Sequence, residues 1–293
     1  CVLGSGGSDP TGGKSTWGAG FLASQHQGVR LRSKGEPILY VQDPAGLSRP
    51  GRRAGLDALS QLNGLTAEQS GDPEVRARME QYELAWRMQS SVPDVADLNK
   101  EPAHVLEDYG VTPGEASFGA NCLLARRLVE SGVRWVQLFD WGWDLHGTST
   151  GDDLVDTFPK KCLSVDRPIA ALVRDLHRRG LLEDTLVVWG GEFGRTPMNE
   201  ARFGSTRLGR DHHADCFSMW FAGAGIRGGE VYGATDELGY SIARDPVSVR
   251  DLQATMLWSL GIDPYSTSVR HLGLNRRLIG PTNEGRIMHH WFA

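Results

Sequence analysis

Twice in succession the sequence runs from a helix signature into a short apolar strand signature. This repetition constrains the fold more than any other feature. Ser117 can cap a helix that carries Leu123, Leu124 and Leu128 on one face and that Gly132 stops. The run 133–139 follows as a strand. Asp166 can then cap, and Pro168 open, a second helix with Ile169, Leu172, Val173 and Leu176 on one face, ended by Gly180. The apolar run 185–189 follows as a buried strand. Helices alternating with strands predict parallel strands joined by helical crossovers. The expected fold class is therefore α/β, with a doubly wound, mostly parallel sheet flanked by helices. The run 217–222 adds a third strand, and 247–258 a late helix ended near Gly261.

Upstream of this repeat, Asp72 can cap and Pro73 begin a helix through Met88, with Val75, Met79, Tyr82 and Trp86 recurring at helical spacing. A proline-bearing loop is expected over 91–113. Residues 1–70 read as loop-rich, punctuated by Gly, Ser and Pro, and the last thirty residues as polar and irregular. The expected organisation is one domain over 1–293: a loop-rich 1–70, a helical 72–131 and an α/β core at 133–263.

A chain of 293 residues can bury a sizeable core. Its net charge of −5 and its scattered Lys and Arg give no basic surface for nucleic acid. No apolar run reaches the ~18 residues needed to span a bilayer. The four cysteines, Cys1, Cys122, Cys162 and Cys216, lack CxxC spacing, which argues against a thiolate zinc knot. Cys122, on an apolar helix face, reads as a small buried hydrophobe. The chain starts at Cys1 without Met and reads as a fragment or a processed form.

Chemistry concentrates in three loops after the expected strands. Glu192 sits just past the 185–189 strand, in Gly190-Gly191-Glu192-Phe193-Gly194-Arg195-Thr196-Pro197. Asp211, His212 and His213 follow in Gly209-Arg210-Asp211-His212-His213. Asp144 and His146 lie in Trp143-Asp144-Leu145-His146, just past the 133–139 strand. Functional groups of open α/β sheets gather at the carboxyl ends of strands. Carboxylates and imidazoles are what divalent cations accept as ligands. Asp144 and His146, two residues apart, point the same way in an extended loop and can share one cation. Adjacent histidines diverge, so His212 and His213 take different roles. Arg195 can bind an anionic group bidentately or pair with Glu192. The segment Gly7 to Ser15 approaches the phosphate-loop pattern GxxxxGK[ST], but its first glycine comes one residue too early, and a poor helix start follows.

These motifs, with AGAGIRGG at 222–229, YGATDELGY at 232–240 and DLQATMLWSLGID at 251–263, resemble the DUF1501 family. That family is bacterial and abundant in planctomycetes. WGAGFL at 17–22, YELAWRMQSSVPDVADLNKE at 82–101 and CLLARRLVESGVRWVQLFD at 122–140 extend the resemblance over nearly the whole chain. It implies an alkaline phosphatase/sulfatase-like sandwich, with one or two divalent ions (Zn, Ca or Mg) held at strand ends. The implied activity is metal-dependent hydrolysis of phosphate or sulfate esters of a small molecule or glycan, in the periplasm or outside the cell. Carried over by position, Asp144, His146, Glu192, Asp211 and His212 are the implied metal ligands. With that activity, His213 is the expected proton donor and Arg195 the expected oxyanion contact. The nucleophile of such enzymes comes from an N-terminal strand that this chain is expected to lack. Arg250, Trp258 and Pro264 stand where relatives often carry His. The rival expectation is a non-catalytic binding or export-associated module that keeps only the fold.

Overall fold

The computed structural model describes residues 1–4, 12–22, 26–32, 37–38, 46–200, 202–282 and 285–293. It divides into two compact units that interleave in sequence: residues 1–141 with 167–172, and residues 142–166 with 173–293.

The first unit is mainly helical. A short strand, β1 (Val2–Gly4), opens it, and the helices α1 (Arg49–Ser70), α2 (Pro73–Ala96), α3 (Ala103–Tyr109) and α4 (Phe118–Glu130) follow. The strand β2 (Gln137–Phe139) pairs in parallel with β1. Local chemistry explains the helix starts. The Ser48 hydroxyl accepts from Gly51 N, the Asp72 carboxylate from Glu74 N and the Ser117 hydroxyl from Ala120 N, each satisfying a backbone donor that the first helical turn leaves free. The core forms around α4. Leu124, Ala125 and Leu128 pack with Leu3 and Leu31, while Ala120, Cys122 and Leu123 pack with Val105, Tyr109 and Val111. Cys122 is buried as its sequence context suggests, and burial pushes its thiol pKa up.

Two expectations fail in this unit. Residues 49–70, read as loop, form the 22-residue α1. Its three glycines look like breakers, but Pro50 falls in the first turn, where a missing N–H costs nothing. The helix expected to stop before 91 continues to Ala96 through Pro93, and α3 lies within the segment read as a loop.

The second unit holds eight two-residue to four-residue strands among its described residues, after the helix α5 (Thr157–Arg178), whose middle, 167–172, groups with the first unit. Here β3 (Val187–Gly190), β4 (Gly194–Arg195), β5 (His212–His213), β6 (Met219–Ala222), β7 (Ala234–Thr235) and β8 (Ile242–Arg244) precede α6 (Val249–Ser259), and a hairpin of β9 (Ser268–His271) and β10 (Leu274–Arg277) follows. The pairs β3–β6, β4–β5, β7–β8 and β9–β10 are all antiparallel. The hairpin lies in the segment read as irregular. Pro168 sits inside α5 rather than opening it, so this helix begins eleven residues earlier than its proline suggested.

These pairings overturn the expected doubly wound, mostly parallel, alkaline phosphatase-like sheet. Among the described residues every sheet has two strands, and only β1–β2 is parallel. The reason lies in the connections. A parallel pair needs a crossover, usually a helix, to bring the chain back to the same end. Between β3 and β6 the chain makes loops, one 3-10 turn (Arg202–Gly204) and the small β4–β5 ribbon, so β6 returns antiparallel. Trp189 of β3 then stacks on its cross-strand neighbour Trp220, with ring centroids 6.4 Å apart. No described helix is long and apolar enough to cross a membrane.

Candidate metal centre

The three loops that carry Asp144, Glu192 and His212 lie in the second unit, and two glycines decide how two of them meet. The backbone at His146 and Gly147 lies directly against that at Leu208 and Gly209. A Cβ on Gly209 would stand 1.9 Å from the His146 carbonyl carbon. One on Gly147, whose φ is +72°, would stand 2.7 Å from Gly209 N. Only glycine allows that approach. The contact is held by Arg210 N donating to Leu145 O at 3.0 Å and Leu154 N to Leu208 O at 2.9 Å. Asp152 braces the loop from within, accepting from His146 N at 2.6 Å and Thr148 N at 3.0 Å. On the other side, β4 pairs Arg195 with His212 and Gly194 with His213. Thr196 N donates to Asp211 O at 2.9 Å.

This construction brings three ligand atoms together. His146 Nε2 lies 2.8 Å and His212 Nε2 2.9 Å from the same oxygen, Asp144 Oδ1. The His146 and His212 rings are 5.0 Å apart, and Phe193 packs on His212 at 4.5 Å. His146 Nδ1 lies 2.5 Å from Glu200 Oε2. The Glu200 side chain is 7% exposed and is also paired with Arg202. A carboxylate only accepts, so Nδ1 donates to Glu200, which leaves Nε2, facing Asp144, as the ring nitrogen that would turn to a cation. A second group, His146, Glu200 and Asp211, adjoins the first. The Arg202 guanidinium occupies it, 3.5 Å from Asp211 Oδ1.

The donor set fits a divalent cation. Two imidazoles and one carboxylate are a hydrolytic zinc-type set with room for a further ligand. A tetrahedral ion with bonds of about 2.0 Å separates its ligands by about 3.3 Å. The two distances from Asp144 Oδ1 fall short of that by only a few tenths of an ångström. These residues can hold a metal ion.

The carboxylate of this set stays charged. Burial pushes the Asp144 carboxyl up, but the hydrogen bond from His212 and the guanidinium of Arg195 outweigh it and hold the pKa at about 2. The carboxylate is therefore ionised at any ordinary pH. Arg195 Nη1 stands 2.7 Å from Asp144 Oδ1 as an ion pair.

The structure thus brings together Asp144, His146, His212 and Arg195. Glu192 stands outside both groups, with its carboxylate mostly exposed and 3.5 Å from Arg195 Nη2. Asp211 lies with Arg202 and Glu200. His213 faces elsewhere, its Nε2 2.5 Å from the Tyr240 carbonyl, which accepts its hydrogen bond. Glu200 and Arg202 went unnoticed in the sequence because they lie in a loop with no periodicity or motif spacing to mark them. Of the phosphate-loop look-alike, residues 5–11 lie outside the described residues, and Gly13–Thr16 is one 3-10 turn.

Comparison with the curated proteins and with the solved structures finds no match to this chain. The model of DUF1501, described as a protein of unknown function, matches residues 1–292, and the chain belongs to that family.

Proposed function

We propose that the chain is a divalent metal-dependent hydrolase of phosphate or sulfate esters. The observation that carries this reading is the convergence of His146 Nε2 and His212 Nε2 on Asp144 Oδ1, with Glu200 fixing the His146 ring from behind. In this reading Asp144, His146 and His212 are the ligands. A bound divalent cation supplies Lewis acidity toward the ester oxygen and lowers the pKa of a ligated water. The chain's own residues do the rest. Arg195, its guanidinium beside Asp144, holds a charged oxygen of the substrate. Phe193, against His212, keeps water from one flank of that ring. Glu200 keeps the Nδ1 proton, so the tautomer that exposes the Nε2 lone pair persists. Glu192 pairs with Arg195 and aligns its guanidinium. His213 is engaged with Tyr240 and serves the architecture rather than proton transfer.

The test begins with chelator-washed protein reloaded separately with Zn²⁺, Ca²⁺ or Mg²⁺ and assayed for bound metal. One ion per chain, bound well below millimolar concentration, is expected. The loaded protein then hydrolyses an aryl phosphate or an aryl sulfate, and His212→Ala abolishes turnover with an unchanged circular dichroism spectrum. Absence of any binding below millimolar concentration overturns the reading.

A further inference from the structure

The second unit carries an apolar cleft of about 610 Å3 lined by Pro197, Met198, Glu237, Leu238 and Tyr240. Both of its sides are tied to the ligand cluster. Pro197 and Met198 continue the chain from Arg195, and Met198 is three residues on, at most about 11 Å along the backbone. Tyr240 accepts at its carbonyl from His213 Nε2 and lays its ring 5.1 Å from that imidazole. His213 in turn follows His212 in β5.

The loop bearing Leu238 is braced. The Asp236 carboxylate accepts from Leu238 N at 3.2 Å, Tyr240 N at 2.8 Å and Ser241 N at 3.0 Å, and Asp236 N donates to Ser241 O at 2.9 Å. Four hydrogen bonds over six residues fix the loop's course. That fixed course leaves Leu238 76% exposed, and Met198, also lining the cleft, 56% exposed. Neither side chain adds to the core at that exposure. Their apolar surface leaves water only when an apolar group enters the cleft.

We propose that this cleft is the subsite for a neutral aryl or short alkyl group on the ester whose charged head Arg195 holds. The proposal rests on the hydrolase reading above and adds the substrate class. Charge selects the occupant as well as shape. Among the described lining residues Glu237 is the one carboxylate, and it repels an anionic tail, so the substrate's negative charge belongs at the Arg195 end.

Methyl-, butyl- and phenylphosphonate, which carry the anionic head but cannot be hydrolysed, are titrated by calorimetry into the full chain loaded with Zn²⁺. Full burial of one methylene is worth about fourfold in affinity, and an open cleft captures roughly half of that free energy, or about twofold. Butylphosphonate is therefore expected to bind roughly eightfold tighter than methylphosphonate, and phenylphosphonate at least as tightly. In Leu238→Asp, which replaces an exposed side chain and spares the fold, the ratio of butyl to methyl affinity drops to about one. Equal affinities in the wild type, or a ratio that Leu238→Asp leaves intact, overturns the subsite while the hydrolase reading stands. If no phosphonate binds, the hydrolase reading falls instead. Benzyl alcohol, followed by saturation-transfer NMR, then reads the cleft alone. Transfer that Leu238→Asp removes supports an apolar cleft without the anion site, and absence of transfer overturns it.

Discussion

Arg126 and Arg195 each meet two carboxylates, yet they do opposite things. Arg126, on α4 in the first unit, is 1% exposed. Its Nη2 lies 2.5 Å from Glu101 Oε2 and its Nη1 2.6 Å from Glu130 Oε2, and Arg127 closes the network from the other side of Glu101. Burial pushes the Glu101 carboxyl up, but the two guanidiniums hold it below the usual range. Arg195 meets Asp144 and Glu192, whose side chains are 60% and 64% exposed. The first network is buried at Arg126 and Glu101, with Glu130 at its exposed edge, and its charges are spent on one another. The second is open on the carboxylate side, and its charges stay available to a third party. Ionic character alone does not mark a functional site. Openness together with convergence of ligand atoms does.

The sharpest way to break this contrast is to cut each network. Glu101→Ala leaves the Arg126 charge buried without its main partner, which costs about 3–5 kcal/mol. The urea midpoint of unfolding measures this loss. Replacing both partners by apolar residues of similar volume, as in Glu101→Leu with Arg126→Met, is expected to recover most of it. A single substitution that costs under about 1 kcal/mol would place Arg126 in a wetter setting than its packing implies.

The reverse outcome is expected at the open network. Asp144→Asn changes a mostly exposed side chain, so stability shifts by no more than about 0.5 kcal/mol. Metal affinity instead falls by at least about 100-fold, because an amide neither carries the charge nor fits between two imidazoles as a ligand. Titration of the chelator-washed variant with Zn²⁺ measures this. A variant that unfolds readily but still binds the ion would put Asp144 on the structural side of the comparison.

Glu200 tests the boundary between the two kinds of charge, since it is buried like Glu101 yet serves His146. Glu200→Gln keeps the shape but can turn an N–H toward Nδ1, which favours the wrong tautomer. Outer-shell changes of this type cost about 10-fold to 100-fold in metal affinity. A drop smaller than that of Asp144→Asn, with restoration by Glu200→Asp where the shorter carboxylate still reaches, identifies a positioning residue.

How much of this was legible in sequence depends on the range of the interactions involved. The caps Asp72 and Ser117 act within four residues, and the helices they start begin where composition and spacing place them. Asp144, His146 and His212 were legible as metal-ligand types near apolar runs. Their meeting was not, because it depends on Gly147 and Gly209 letting two backbones touch, and a glycine in a loop looks the same whether or not it does this. The parallel sheet was misread because apolar strand runs carry no direction. Direction is set by the 28 residues from Gly191 to Ser218, where no crossover helix forms. Glu200 and Arg202 were silent because a buried loop carboxylate has no periodicity.

The smallest expected effect concerns a third charge pair, in which a carboxylate caps a helix and also binds an arginine. Asp251 is buried at the start of α6, where it and Ser248 form a reciprocal capping box. It also accepts from Arg286 N at 2.7 Å and Arg286 Nη2 at 2.9 Å. Burial raises its pKa, but the Arg286 side chain and the backbone donors outweigh that and hold it at about 2. A carboxyl depressed on folding stabilises the protein at any pH above its unfolded value near ~4. That contribution fades as pH falls from ~4 to about 2, because the unfolded chain takes up the proton first. Ser248→Ala is expected to cost about 1 kcal/mol at neutral pH. Asp251→Asn is expected to flatten the loss of thermal stability between pH 4 and 2 relative to wild type. Unlike Arg195, Arg286 has its carboxylate buried beside it, so adding Zn²⁺ moves neither result. If the metal shifted the acid transition of Asp251→Asn more than that of wild type, the pair would be coupled to the metal centre and the division between spent and available charge would fail at this third point.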